Sequence, residues 1–103
     1  MAVRIERVTR WALEARVADV FVAEDAIALH EALERSEPGS AVSVDLHESR
    51  RSEPVALARL AADILSGRWR IELRGICWYD IRLLAHLGVP AREMGPSPAE
   101  RDS

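Results

Sequence analysis

Apolar and polar residues alternate along four short stretches of this chain, and each stretch predicts a strand with a single apolar face. In VRIERV (Val3 to Val8), Val3 and Ile5 oppose Arg4 and Glu6. In WALEARV (Trp11 to Val17), Trp11, Leu13, Ala15 and Val17 oppose Glu14 and Arg16. The Thr9-Arg10 link between these two is short enough for an antiparallel hairpin. AVSVDL (Ala41 to Leu46) sets Val42, Val44 and Leu46 against Ser43 and Asp45. RWRIELR (Arg68 to Arg74) sets Trp69, Ile71 and Leu73 against Arg70, Glu72 and Arg74.

Between the later strands the period lengthens to that of a helix. From about Glu24 to Arg35 the apolar positions Val22, Ala26, Leu29 and Leu33 fall on one face, and SEPGS, with Pro38 and Gly39, ends the run. From about Pro54 to Ser66, Leu57, Leu60, Ala61 and Ile64 form an inward stripe. Arg59 and Asp63, four apart, are expected to pair on the outside of that helix, and Gly67 supplies its stop. From about Trp78 to Leu87, Ile81, Leu84, Ala85 and Leu87 form the apolar side, before Gly88, Val89 and Pro90.

One-faced strands decide the architecture. Helices on both faces of a parallel sheet require continuous apolar runs, whereas every strand here alternates with charge or serine. The helices are therefore expected on one face of a mixed sheet of about four strands, laid down in chain order by right-handed crossovers. The expected fold is a two-layer α/β domain whose open sheet face carries Arg4, Glu6, Glu14, Arg16, Ser43, Arg70, Glu72 and Arg74. Opposite charges on that face are expected to pair across neighbouring strands.

Composition narrows the function classes. A chain of 103 residues, 49% hydrophobic and 30% charged, has the profile of one soluble domain. The formal net charge is -3 and all 14 basic residues are arginine, with no basic block, which argues against nucleic acid as the partner. The lone Cys77 permits no internal disulfide, no apolar run reaches membrane-spanning length, and MAVRIERV lacks the apolar core of a secretion signal. A cytoplasmic location without membrane insertion is expected.

Candidate chemistry collects after the third strand, where Asp45, His47, Glu48, Ser49, Arg50, Arg51, Ser52 and Glu53 are expected to form a charged loop leading into the second helix. The residue types of an acyl-transfer triad are present within eight positions, but triads assemble from separated elements and no glycine-rich nucleophile elbow is present. No catalytic residues are assigned. His30, His47 and His86 are scattered and Cys77 has no partner at a zinc spacing, so no metal site is assigned, and no GxxxxGK loop calls for a phosphate cofactor. Ser52 fits an N-cap, with Pro54 tolerated in the first turn; it is also the candidate phosphoacceptor of this stretch. Trp11 and Trp69 are expected to pack in the core. Trp78 and Tyr79 open the last helix, where aromatic residues can join a contact surface.

The order of elements resembles the STAS domain, named for sulfate transporters and anti-sigma factor antagonists, a right-handed β-α superhelix with its helices on one side. RIELRGICWYDIRLLAHLGV (Arg70 to Val89) is similar to that family's strand, glycine, short leucine- and arginine-rich helix and closing Gly-Val, with Gly75 and Gly88 in place. SVDL (Ser43 to Leu46) resembles its strand ending in Asp-Leu. The resemblance implies a non-catalytic protein-interaction module, an anti-sigma factor antagonist-like regulator in a bacterial partner-switching system, without cofactor. It also implies the binding surface, made by the Asp45 to Ser52 loop and the exposed face of the following helix. An anti-sigma factor kinase is the partner this implies; a membrane transporter's ATPase, bound by a small accessory subunit, is the alternative, and a small hydrolase is the third reading. Where regulated members carry a phosphorylated Ser or Thr followed by Gly-Leu, this chain holds Glu53, Pro54, Val55, Ala56 and Leu57, so the usual phosphoacceptor is missing.

Residues 1–91 are assigned to the domain and 92–103 to a flexible C-terminal tail. The tail contains SPAE (Ser97 to Glu100), the form of a capping box with a proline at the first helical position.

Overall fold

A computed structural model describes residues 3–90 of the chain. The tail assigned to 92–103, with its SPAE signal, lies outside the described residues. Among the described residues seven elements follow one another: β1 (Val3–Thr9), β2 (Ala12–Phe21), α1 (Ala23–Glu34), β3 (Ala41–Ser52), α2 (Pro54–Ser66), β4 (Arg70–Arg74) and α3 (Trp78–His86).

The strands lie in chain order, β1-β2-β3-β4, with β1 antiparallel to β2 and the later pairs parallel. Burial alternates as the sequence pattern requires. Leu13, Ala15 and Val17 of β2, Val42, Val44 and Leu46 of β3, and Ile71 and Leu73 of β4 are buried against the helices. Arg4, Glu6, Glu14, Arg16, Arg70, Glu72 and Arg74 are exposed on the opposite face. The architecture is thus a two-layer α/β fold with a mixed four-stranded sheet and its helices on one face.

Each helix contributes the stripe that meets this sheet. Leu29 and Leu33 of α1, Leu57 and Leu60 of α2, and Leu84 of α3 are almost wholly buried. In the first turn of α1, the Asp25 carboxylate accepts a hydrogen bond from the Val22 N–H at 3.1 Å, satisfying one of the donors that a helix start leaves open. α2 begins on Pro54, whose missing N–H would have no helical partner there. It ends on Gly67 at φ 71°, a left-handed stop that suits glycine.

Several expectations fail locally. Trp11 is not a core residue: Thr9 pairs with Ala12, so Arg10 and Trp11 form the hairpin turn, and the Trp11 ring, 54% exposed, lies under the Arg10 guanidinium at 5.8 Å. Asp63 is not on the outside of α2 but buried, bonded to His30 of α1 at 2.7 Å. Along α3 only Leu84 of the expected stripe is fully buried; Ile81 is half-buried, and Ala85 and Leu87 are exposed. On the open face, the residues of β1 and β2 that directly oppose each other carry like rather than opposite charges, Arg4 against Arg16 and Glu6 against Glu14, whereas Asp45 of β3 stands between Arg16 and Arg74.

The largest correction concerns β2 and β3. Both continue past the alternating stretches, β2 to Phe21 and β3 to Ser52, and the two extensions pair with each other. The register slips between Arg16 and Ala18 and again between Asp19 and Val20. Extra residues on β3 are absorbed there as bulges, which break the period of two while preserving the ladder.

Candidate functional site

The segment expected as a charged loop is therefore the second half of a strand, and the ladder divides its residues among three places. Asp45 sits between the buried Val44 and Leu46, so it belongs to the open sheet face, opposite Arg16 and Arg74. Its Oδ1 accepts from the His47 N–H at 2.8 Å. His47 is exposed, and its backbone lies directly against Gly75, the residue after β4. A Cβ on Gly75 would come within 2.7 Å of the His47 Cα, and Gly75 has φ 68°. Glycine is required there both by space and by conformation.

Farther along, the strand turns its polar groups toward β2. Glu48 pairs with Ala18, and Ser49 with Asp19. The Ser49 hydroxyl donates to the Arg51 carbonyl at 2.9 Å and to the Asp19 carbonyl at 3.3 Å. The Arg50 guanidinium lies 3.4 Å from the Asp19 carboxylate, and both side chains are exposed. Asp19 itself has φ 60°, a left-handed conformation that aspartate tolerates better than most residues. Arg51 is exposed opposite Val20.

The third place is the start of the helices. Ser52 does not cap α2: Glu53 holds the cap position, without a side-chain cap bond. The Ser52 hydroxyl instead donates to Asp80 Oδ2 in the first turn of α3 at 2.9 Å. That bond, together with packing of α2 on α3, sets the first turns of the two helices side by side. Glu53 is half-buried there, while Val55, Trp78 and Tyr79 are 65%, 53% and 85% exposed. Three large apolar side chains thus stand exposed in the first turns of two neighbouring helices. Cys77, at the cap of α3, is exposed beside them.

Of the ten candidate residues, the structure thus brings together Ser52, Glu53, Trp78 and Tyr79, and separates Asp45, His47, Glu48, Ser49, Arg50 and Arg51 from them along β3. Two participants lie outside the sequence-based set. Val55 falls off the Leu57, Leu60, Ala61 and Ile64 stripe, a signal present in the sequence. Asp80 carries none, because its partner is 28 positions away.

The triad arrangement is not formed. The Ser49 hydroxyl is engaged by backbone carbonyls and that of Ser52 by a carboxylate, and neither is bonded to His47. A shallow depression of about 790 Å³ reaches from the other end of the parallel strands, at Ala41, Trp69 and Arg70, along the open sheet face past Glu14, Ser43, Glu72 and Arg74, and none of the ten residues lines it. Among the described residues no cluster of three His, Cys, Asp or Glu could hold a metal ion, and no helix is long and apolar enough to cross a membrane.

A separate polar network ties α1 to α2. His30 Nδ1 and Asp63 Oδ1 share a hydrogen bond of 2.7 Å, and His30 Nε2 lies 3.3 Å from Glu34. Arg68 grips Glu34 with two hydrogen bonds, at 2.9 and 3.2 Å, and stacks on Trp69 at 4.5 Å. The Arg68 hydrogen bonds hold the Glu34 carboxyl below its ordinary range. Burial pushes the Asp63 carboxyl up, against the opposing pull of His30. Asp63 Oδ2 is buried with no hydrogen-bond partner among the described residues.

No protein-family model matches the chain, and no curated protein matches it. The chain is similar to the crystal structure of Mglu, with a TM-score of 0.56 and 22% identity. The likeness covers 70% of this chain and 19% of that one, so this chain corresponds to about a fifth of that protein's length. At this identity the likeness bears on the fold alone.

Proposed function

We propose that this chain is a non-catalytic, STAS-like protein-interaction module, acting as an anti-sigma factor antagonist-like regulator in a bacterial partner-switching system in the cytoplasm. The observation that carries the reading is the open apolar surface at the starts of α2 and α3, made by Val55, Trp78 and Tyr79 and held in place by the Ser52 to Asp80 hydrogen bond. Aromatic residues on a rigid scaffold are the side chains that most often anchor a protein partner. The helix starts are rigid in this sense, because the sheet and core behind them fix both first turns.

The same geometry supports a module that lacks the usual phosphate switch. A phosphoryl group on Ser52 would place roughly two negative charges against the Asp80 carboxylate, which now accepts from that hydroxyl. Modification there would work against the local structure. The next positions, Glu53, Pro54 and Val55, offer no hydroxyl.

Titration of the purified chain with an anti-sigma factor kinase from the same cell tests the reading. Saturable one-to-one binding without phosphate transfer is expected. Absence of binding, with a transporter ATPase recovered alongside the native protein instead, would replace this reading with that of an accessory subunit.

A further inference from the structure

The open face of the sheet carries its charge in two rows that run across the strands. Glu6, Glu14, Ser43 and Glu72 are register partners in one row. Arg4, Arg16, Asp45 and Arg74 are register partners in the next, two residues along each strand. The rows therefore run parallel, roughly 7 Å apart. Between β1 and β2 like charges stand directly opposite one another in both rows, which is unfavourable in an isolated sheet, while on β3 Ser43 separates Glu14 from Glu72 and Asp45 stands between Arg16 and Arg74. Among the described residues the one ion pair on this face is Arg74 with Glu72, at 3.3 Å within β4. Arg4, Arg16, Glu6 and Glu14 make none.

We propose that this face binds a second copy of the chain, face to face, about a two-fold axis that crosses the strands between the two rows. Rotation about that axis keeps each strand over its own counterpart and exchanges the rows. Glu6 of one copy then lies over Arg4 of the other, Glu14 over Arg16, and Glu72 over Arg74, and each contact occurs twice. Ser43 faces Asp45, whose Oδ2 is not used by the His47 amide. Sheet faces stack at about 10 Å, a gap that Arg and Glu side chains reach across from both sides. The twist of a sheet runs about the same cross-strand direction, so the strands of the two copies stay aligned.

The charge pattern also rejects the obvious alternative. A two-fold axis along the strands would bring β1 over β4 and β2 over β3 without exchanging the rows, setting Glu6 over Glu72 and Arg4 over Arg74, with Arg16 over Asp45 as the one favourable charge contact. Only the cross-strand axis sets glutamate over arginine on β1, β2 and β4 together. Repulsion in the wrong geometry contributes as much to the choice as attraction in the right one. The helix starts lie away from this face and stay open for the partner proposed above, so the two proposals stand or fall separately.

Sedimentation velocity of the full chain at low and high salt, with charge-reversed variants, tests the proposal. The wild type should dimerise at about 20 mM salt and dissociate near 0.5 M, as exposed charge pairs are screened. Glu14→Arg alone and Arg16→Glu alone should each weaken dimerisation by about tenfold or more, since either places like charges in two symmetric contacts. An equimolar mixture of the two variants should recover a dimer, because the first presents arginine at both positions of β2 and the second presents glutamate at both. Should either variant fail to fold, Glu72→Arg and Arg74→Glu make the same test on β4. A wild type that stays monomeric at low salt, variants that dimerise as the wild type does, or a mixture that does not recover the dimer would each overturn the proposal.

Discussion

The two halves of β3 reach the same backbone conformation by different routes. From Ala41 to Leu46 the strand is specified by its own side chains: Val42, Val44 and Leu46 are buried, each within 3% of full burial, between polar residues facing the other way. From His47 to Ser52 no side chain is buried. This half is a strand because the extension of β2 supplies hydrogen-bond partners, with two register slips and the Ser49 and Arg50 contacts to Asp19 taking up the mismatch. A strand can thus be dictated by its side chains or imposed by its neighbour, and the imposed half is the one that delivers the chain to the helix starts.

The dictated half is the more sensitive to truncation. Leu46→Ala should destabilise the fold by about 2 to 5 kcal/mol, the usual cost of truncating a buried aliphatic side chain, while Arg51→Ala should stay within about 0.5 kcal/mol. Denaturant melts of the two variants measure the contrast directly. Equal effects would show that the two halves are held in the same way. Next in size is the junction between them. Gly75→Ala forces a Cβ to within 2.7 Å of the His47 backbone in a left-handed conformation, so a loss of at least about 2 kcal/mol is expected. A melting temperature equal to that of the wild type would mean that His47 moves away at little cost.

The end of the imposed half depends on one side-chain bond. Ser52→Ala removes the donor to the largely buried Asp80 carboxylate, at a cost of about 1.5 to 3 kcal/mol for a hydrogen bond to a charged group. Ser52→Asp should cost more, because it sets a second carboxylate against the first. A cap role would predict the reverse order, with Asp tolerated and Ala not, so thermal melts of the two variants decide between them.

The smallest effect is expected away from β3, between α1 and α2. Burial raises the Asp63 carboxyl, so its folded form holds a proton more tightly than the unfolded chain does. The sign follows from linkage: the stability tied to this group is complete below the ordinary aspartate value of 3.8 and is lost as pH rises through the raised folded value. Asp63→Asn keeps an oxygen for His30 but carries no charge to bury. The wild type should therefore lose stability relative to Asp63→Asn as pH rises through that window, as read by melts at matched pH. A difference between the two proteins that does not change with pH would contradict this.

How much of this is legible in the sequence follows from the same contrast. Where burial alternates, as in Leu13 to Val17 and Val42 to Leu46, a period of two records the sheet and its inner face. The α2 stripe from Leu57 to Ile64 and the Pro54 and Gly67 signals record that helix at both ends. The second half of β3 reads as a loop because HESRRS has no apolar period, and pairing with β2 leaves no trace in such a segment. Asp63 reads as a surface residue because its spacing from Arg59 suits a surface pair, whereas His30, which takes it inward, is 33 positions away. Trp11 keeps the phase of its strand but lies in the turn, where phase no longer sets direction. Of the site, Trp78 and Tyr79 are legible from their place at a helix start. The Ser52 to Asp80 bond that positions them is not.

In the proposed function, the exposed side chains Val55, Trp78 and Tyr79 at the starts of α2 and α3 bind a protein partner and play no part in holding the fold. Calorimetric titration of a kinase-type anti-sigma factor with the wild type and with a Trp78→Ala, Tyr79→Ala double variant, beside thermal melts of both proteins, tests it most directly. The expected result is a melting temperature close to that of the wild type together with binding weakened by about a hundredfold or more, the loss typical of removing two aromatic anchors. Unchanged affinity in a folded double variant would show that these aromatic side chains do not bind the partner.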